Sequence, residues 1–551
     1  MGLAGARGPN RRAADGTCDE EESQVRATTV IRFESILSPW EHDGPAASSD
    51  VLHDLALDQV FAALGEDAPR AAAAFGRPLR SLAEIEYRQA VFRCLDDARL
   101  REAVDAFLED AGEWSRRDGI ALKAHLRFES ELWHLQAVVG YVTAVEAFAE
   151  RLAEALVASG AVSQGWEALA QYVGEYRASA VFGSLETEAL AVHDRLSRLR
   201  YNALIRGSRV TVAQTDAEAD LGAAVARVFE RFRQGEVPDH RSSPGSSGLD
   251  HVQGWMLEHA AQAHPEPFAR LQRFAASTRG YHDAVLDRFV DEVRFYLAYL
   301  DHLAPLRSAG LPVCFPEITE RSAGLSVTDT WDLALASRLV GEGMPVVTND
   351  LILTGPERIA VISGPNQGGK TTMARIFGQV HHLAALGCPI PGTSARVLLC
   401  DQVATVFERE ETSDTLEGRL GAEIERLHEL FAHATERTVI VINEAFASTA
   451  LQDARVLTRD VLERISALDA LAACVTFIDE LSRLNDKTVS MVSTVDPADP
   501  AVRTFRVERR AADGRAFAQA LARKHDLTAE QITARLAAPA AAPVTTREAA
   551  S

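Results

Sequence analysis

The chain of 551 residues is poor in three things, and each shortage removes a class of function. Its six cysteines (Cys18, Cys94, Cys314, Cys388, Cys400 and Cys474) are scattered, with no C-x-x-C pair and no metal-ligand spacing. That excludes a disulfide framework and a zinc-ribbon type of site, and reads as reduced thiols in the cytoplasm. No apolar run approaches the roughly 18 residues of a membrane span, and the N-terminus lacks the apolar core of a signal peptide. The expectation is a cytoplasmic protein with no membrane partner. Basic residues are also short, 57 Lys and Arg against 79 Asp and Glu, for a formal net charge of −22. Wholesale coating of nucleic acid is therefore excluded, although a local basic face is not. What remains, 47% hydrophobic and 25% charged, is an ordinary globular balance long enough for about two to four domains.

Residues 1–29, with Asp19-Glu-Glu-Glu22, hold little that packs and read as a mobile tail. From about Phe33 to Ala309 helical patterns dominate. Leu132, Leu135, Val139, Val142, Phe148, Leu152 and Leu156 fall mostly three or four apart, and so do Leu286, Phe289, Val293, Tyr296, Leu300 and Leu303. Such stripes predict long helices packed on other helices. Between them, Val237 to Gly248 is a Pro, Gly and Ser stretch that breaks any helix. Arg227, Arg231 and Arg233 just before it form either a solvated helix face or a phosphate-facing patch.

After Gly310 the character changes. Strand-like runs at 346–353, 396–407 and Thr438–Ile442 alternate with helical segments, which predicts a mainly parallel sheet covered on its faces. The coarse division is a helical region at 30–339, an α/β domain at 340–536, and an Ala/Pro-rich disordered end at 537–551.

One stretch organises that second half. Ile359 to Ile362 reads as a buried strand, and it runs into Gly364, Pro365, Asn366, Gln367, Gly368, Gly369, Lys370 and Thr371. This fits G-x-x-x-x-G-K-[ST] at every fixed position, and a helix-forming segment begins at Thr372. The glycines let backbone N–H groups turn inward onto phosphate oxygens at a helix N-terminus. Lys370 is expected to reach the β- and γ-phosphates, and the Thr371 hydroxyl to stand on Mg²⁺. The predicted cofactors are thus ATP and Mg²⁺. A second apolar strand, Thr438 to Ile442, ends in Asn443-Glu444. Asn443 occupies the position that delivers an Asp to the metal shell in P-loop ATPases, while Glu444 keeps a carboxylate where a general base is needed. An amide there accepts from metal-bound water but brings no charge, so the metal should be held more weakly.

These residues resemble the ATPase domain of the MutS family of DNA mismatch repair proteins. Gly364 through Thr372 is similar to that family's form of the P-loop, with Pro-Asn after the first Gly and Gly-Gly before the Lys. Asn349-Asp350 and Leu353 look like its Asn-Asp-x-x-Leu. Gly387 through Pro391, with Ala395 and Asp401, is similar to a further stretch, and Thr476-x-x-x-Glu480-Leu481 to the end of its Thr-His-x-x-Glu-Leu segment. The resemblance covers about residues 340–536. It implies a multidomain protein in which a mostly helical, lever- and clamp-like N-terminal half is joined to an α/β P-loop domain of ABC/MutS type. It also implies a homodimer through the ATPase domains and a duplex DNA partner, branched or otherwise distorted.

The departures are as informative. Where the family has Asp-Glu-x-Gly-Arg-Gly-Thr, this chain has Asn443-Glu444-Ala-Phe-Ala-Ser-Thr449. Phe477 stands for the His of the Thr-His segment, and Gly418 to Glu425 has no counterpart of the Ser donated across the dimer. Phe107-Leu-Glu109 and Phe315-Pro-Glu317 lie in a predicted helix and a connection, not in a mismatch-reading domain. The expectation is a divergent, truncated homologue without that N-terminal domain, acting as a slow ATPase on structured DNA in repair or recombination. The alternative is a nucleotide-gated interaction protein with slow or no hydrolysis and no DNA role. A transport-type ABC partner is disfavoured, because no Leu-Ser-Gly-Gly-Gln signature or membrane segment is found.

Overall fold

The computed structural model describes residues 33–537, except 41–45, 65–68, 127, 161–162, 207–208, 215–250, 321–323, 409–415, 448, 500–501 and 513–527. Both expected tails, the Arg227–Arg233 patch and the Val237–Gly248 stretch lie outside the described residues, Ala537 excepted.

The N-terminal half is built from α1 (Ser49–Asp54), α2 (Leu57–Leu64), α3 (Pro69–Phe75), α4 (Leu82–Cys94), α5 (Ala98–Lys123), α6 (Glu129–Ser159), α7 (Gln164–Arg177) and α8 (Ala180–Ser197). An antiparallel hairpin, β1 (Tyr201–Arg206) with β2 (Arg209–Gln214), interrupts the helices, which the helical patterning did not foresee. Next come α9 (His251–Ala263), α10 (Pro265–Ser277) and α11 (Ala284–Ser308). Capping chemistry sets several of these starts. The side chains of Ser48, Asp97, Ser179 and Asp283 each accept from a backbone N–H in the first turn of the helix that follows. Both apolar stripes lie on the predicted long helices, α6 and α11, and every stripe residue of α11 is buried. Burying a Leu or Phe contributes about 1.5–3 kcal/mol, so such a stripe fixes which face of the helix turns inward.

The second half opens with β3 (Val313–Cys314), β4 (Glu317–Thr319), β5 (Leu325–Thr330), α12 (Leu333–Gly341), β6 (Asn349–Leu353), β7 (Ile359–Ser363) and α13 (Lys370–Ala385). It continues with β8 (Ile390–Pro391), β9 (Ser394–Leu398), β10 (Gln402–Phe407), α14 (Leu416–His433), β11 (Thr438–Asn443), α15 (Leu451–Leu468) and β12 (Leu471–Val475). A 3₁₀ turn (Asp479–Arg483), β13 (Thr488–Val495), β14 (Arg503–Arg509) and α16 (Ala529–Ala537) complete it. The main sheet has the order β10-β11-β12-β7-β13-β14, parallel except for β14. Alternate residues of β7 and β11 go to opposite faces. Ala360, Ile362, Val439 and Val441 join the core shared with the helical half, while Ile359, Val361, Ile440 and Ile442 pack against α14 and α15.

Two readings of the sequence change. The run 396–407 is not one strand: Leu399 to Asp401 breaks it into β9 and β10, which belong to different sheets. A four-stranded sheet of order β4-β9-β5-β6 also joins strands from before and after residue 340, so the expected boundary at 339/340 runs through a shared sheet.

Helix α13 is the axle between the halves. Residues 376–385 are all buried, with helices of the N-terminal half on the side away from the main sheet. The Gln379 amide donates to Leu55 O (2.8 Å), Arg88 to Leu386 O (3.1 Å) and the Tyr299 hydroxyl to Pro389 O (2.8 Å). Gly378 permits this approach, because a Cβ there would fall 2.3 Å from Leu55 Cδ2.

Candidate nucleotide site

The loop between β7 and α13 is held open by its glycines and by β13. Gly364 (φ +124°) and Gly369 (φ +95°) adopt backbone that L side chains rarely take. A Cβ on Gly364 would lie 2.8 Å from Ser493 O, and one on Gly368 would lie 2.3 Å from Ser493 Oγ. The Ser493 hydroxyl itself donates to Gly368 O at 2.5 Å. The loop therefore wraps the end of β13 and delivers Lys370 as the first residue of α13, where unpaired helix N–H groups face the loop.

Lys370 is only 4% exposed and its ammonium has four neighbours. It donates to Gly364 O and to Asn366 Oδ1, both at 3.2 Å, and lies 3.6 Å from Glu444 Oε1 and 4.2 Å from the centroid of the Phe477 ring. Burial lowers its pKa, and the Glu444 carboxylate pulls it partly back. A buried ammonium ringed by weak partners is poised to exchange them for phosphate oxygens, which pair with it more strongly.

Asn443 ends β11 and Glu444 follows it, two strands from the loop, with β12 between. The Glu444 N–H donates to Val475 O (3.1 Å), and Glu444 (φ +55°) and Phe446 (φ +63°) both take left-handed backbone. Glu423 of α14 accepts the Phe446 N–H at 2.9 Å and so pins this turn. Strain of about 1–3 kcal/mol per residue persists only where surroundings enforce it, and here it turns the Glu444 side chain toward Lys370. Asn443 Oδ1 is buried and has no hydrogen-bond partner among the described residues. Phe477 follows the end of β12 and is 52% exposed.

A cavity of about 500 Å³ opens in front of the loop. Of the residues singled out in the sequence, Asn366, Gln367, Gly369, Lys370, Thr371, Thr372 and Glu444 line it, whereas Gly364, Pro365, Gly368 and Asn443 do not. The remaining walls were not read from the sequence: Leu335 and Arg338 of α12, Arg375 of α13 and Phe505 of β14. Asp332, the N-cap of α12, takes the Arg375 guanidinium at 3.0 Å. Asn349 fastens β14 in place, donating to Phe505 O and accepting from the Val507 N–H. Only Asn349 carried a signal, through its motif; the others come together across sequence gaps. Among the described residues no helix is long and apolar enough to cross a membrane. No group of three or more His, Cys, Asp or Glu side chains forms a metal cluster there either.

Comparison with known proteins gives the loop its setting. The family model "MutS domain V" matches residues 360–522, the stretch that carries the loop, β11 and β12. Over this stretch the chain is similar to the MutS family. It is 27% identical over 216 residues to an endonuclease MutS2 of Gemmatimonas aurantiaca, covering 39% of this chain and 25% of that protein. It is 33% identical over 134 residues to the DNA mismatch repair protein MutS 2 of Halobacterium salinarum, 24% of this chain and 15% of that protein. To the DNA mismatch repair protein MutS of Erythrobacter litoralis it is 29% identical over 201 residues, 35% and 22% of the two chains. The matched part thus spans about a quarter or less of each relative.

Proposed function

We propose that this chain is a MutS-type ATPase whose nucleotide state sets the position of its helical half on DNA. The observation that carries the reading is Lys370, buried at the mouth of the loop and facing Glu444 across 3.6 Å. In this reading the N–H groups from Gly364 to Gly369 and the Lys370 ammonium hold the phosphates, and Thr372 adds a hydroxyl from the first turn of α13. Magnesium fits the residues present, because the Thr371 hydroxyl lines the cavity and the orphaned Asn443 Oδ1 can accept from a coordinated water. When bound, Mg²⁺ neutralises phosphate charge. Glu444 orients the attacking water and takes its proton.

Hydrolysis by this set is slow. Asn443 brings no negative charge, and Phe477 donates no hydrogen bond, so stabilisation worth about 2.7–4 kcal/mol per missing donor is absent. Nucleotide bound at α13 bears directly on the helical half through Leu55, Phe75, Arg88 and Tyr299. The substrates are structured or distorted duplexes gripped through their backbone, in repair or recombination, and the ATPase domains pair as a homodimer. The helical region, with the α/β domain starting near residue 313 and not 340, forms the lever and clamp.

A second reading is favoured by Asn443 and Phe477 together: a nucleotide-gated interaction protein with little or no turnover and no DNA role. A switch needs only differential binding between two arm positions. The deciding experiment is ATP turnover with and without duplex, mismatched, branched and single-stranded DNA. Stimulation by one structured DNA, lost in Glu444→Gln and weakened by salt, supports the DNA-processing ATPase. ATP binding with no DNA response moves the assignment to the interaction protein.

A further inference from the structure

The charges around the loop do not cancel. Lys370 faces Glu444, Arg375 is taken by Asp332, and Arg503 donates to Asn366 O at 3.1 Å. Arg338 is left over. It lies on the cavity wall with Lys370, Thr371 and Thr372 and is exposed, and its guanidinium has no hydrogen-bond or ion-pair partner among the described residues. Where a metal-binding carboxylate would add a negative charge, the end of β11 offers the neutral amide of Asn443. Of the three cations that line the cavity, Lys370 and Arg375 face carboxylates and Arg338 does not, and the end of β11 lacks the anion that makes a nucleotide pocket depend on a metal.

We propose that Arg338 is a phosphate clamp that makes nucleotide binding at this loop largely independent of Mg²⁺; this rests on the nucleotide-site reading above. A guanidinium presents a planar fork of donors that matches phosphate oxygens in pairs and stays charged at any physiological pH. In a pocket with a carboxylate at the metal position, removing the metal leaves that carboxylate facing the phosphates, and affinity collapses by repulsion. Asn443 removes that penalty, and Arg338 supplies charge in the metal's stead. Arg338 is a positioning residue for nucleotide and takes no part in proton transfer.

The test is calorimetric titration of the full chain with ATP, and separately with ADP, in Mg²⁺ and in EDTA. The wild-type affinity should fall by less than about tenfold on metal removal, and Arg338→Gln should weaken binding in EDTA by about tenfold or more, the worth of a charge-assisted hydrogen bond. Arg338→Lys should recover part of that loss. Asn443→Asp should restore metal dependence, losing more than about tenfold in EDTA by the repulsion it reinstates. A wild-type loss of about tenfold or more without metal overturns the proposal, as does Arg338→Gln binding like wild type in EDTA. No ATP binding even with Mg²⁺ overturns the nucleotide reading beneath it, a separate result.

Discussion

The two halves bury histidine in opposite charge states. In α13, His381 and His382 are wholly buried, and that burial pushes both imidazoles down to about 4. His382 donates to Phe75 O and His381 Nδ1 to Phe377 O, while His381 Nε2 is buried without a partner among the described residues. At the bend between α10 and α11, His282 lies 3.3 Å from Asp118 and 3.5 Å from Asp287. Burial pulls His282 down as well, but the two carboxylates outweigh it and raise it to about 9. Asp118 is itself held below the usual carboxylate range, because hydrogen bonds from His134, His282 and Tyr281 outweigh its burial. The difference lies in what the neighbouring elements bring. His381 and His382 meet the Phe377 and Phe75 carbonyls and the rings of Phe377 and Phe61, with no carboxylate among those partners, so charge on the imidazoles is expelled. At the helical bend two carboxylates reach in, so charge is kept. Two neutral imidazoles in the axle and an ionic joint at the helical bend respond differently to mutation and to pH.

The largest contrast is at the loop. Lys370→Ala should abolish ATP binding, by about 100-fold or more in Kd if two charge-assisted contacts are lost; full affinity in a direct binding assay refutes the loop's role. Glu444→Gln should leave ATP bound within a few-fold while turnover drops by about 10²–10⁴, the range general-base catalysis supplies. An unchanged rate removes Glu444 from that role. In the shared core, Phe75→Ala should cost about 3–5 kcal/mol, since Phe75 is fully buried beside His382, Phe61 and Phe295. Denaturant melts followed from both halves should then shift together; a shift confined to the helical half breaks the picture of one core. Phe477→His should raise turnover several-fold by placing a donor next to Lys370, and no change would show that the ring only shields the ammonium.

The remaining effects come from pH, and they separate the two histidine sites. The folded pKa of His381 and His382 lies below the unfolded value near 6.5, so the unfolded chain binds more protons between pH 6.5 and 4. Their contribution is present above 6.5 and lost as pH falls through 4. The His282 pKa is raised, so its contribution is full below 6.5 and lost as pH rises through 9. Urea midpoints across pH should show both slopes, with His282→Gln flattening only the alkaline one; loss of the acid slope instead would reverse the assignment.

Much of the site was legible because its chemistry is local. Gly364 to Thr372 must be contiguous for backbone amides and the helix start to converge on one ligand, so the string carries its own geometry. Asn443-Glu444 was legible for a related reason: a buried apolar strand has to deliver its last residues to the edge of the sheet. The walls were not legible. Arg338, Arg375 and Phe505 reach the cavity from α12, α13 and β14, and nothing in the local pattern marks them. The break at Leu399 to Asp401 was missed because two apolar runs in different sheets have the same periodicity as one.

By itself, then, the sequence determined the glycine-rich loop ahead of α13, the two stripe-bearing helices α6 and α11 and the neutral amide at the end of β11, since each depends on residues close in the chain. Only the tertiary structure decided that α13 is enclosed by the helical half, that a sheet crosses residue 340, and that Phe477 stands over Lys370. Those follow from side chains packed across hundreds of residues, where burial and close approach, not local spacing, set which groups meet.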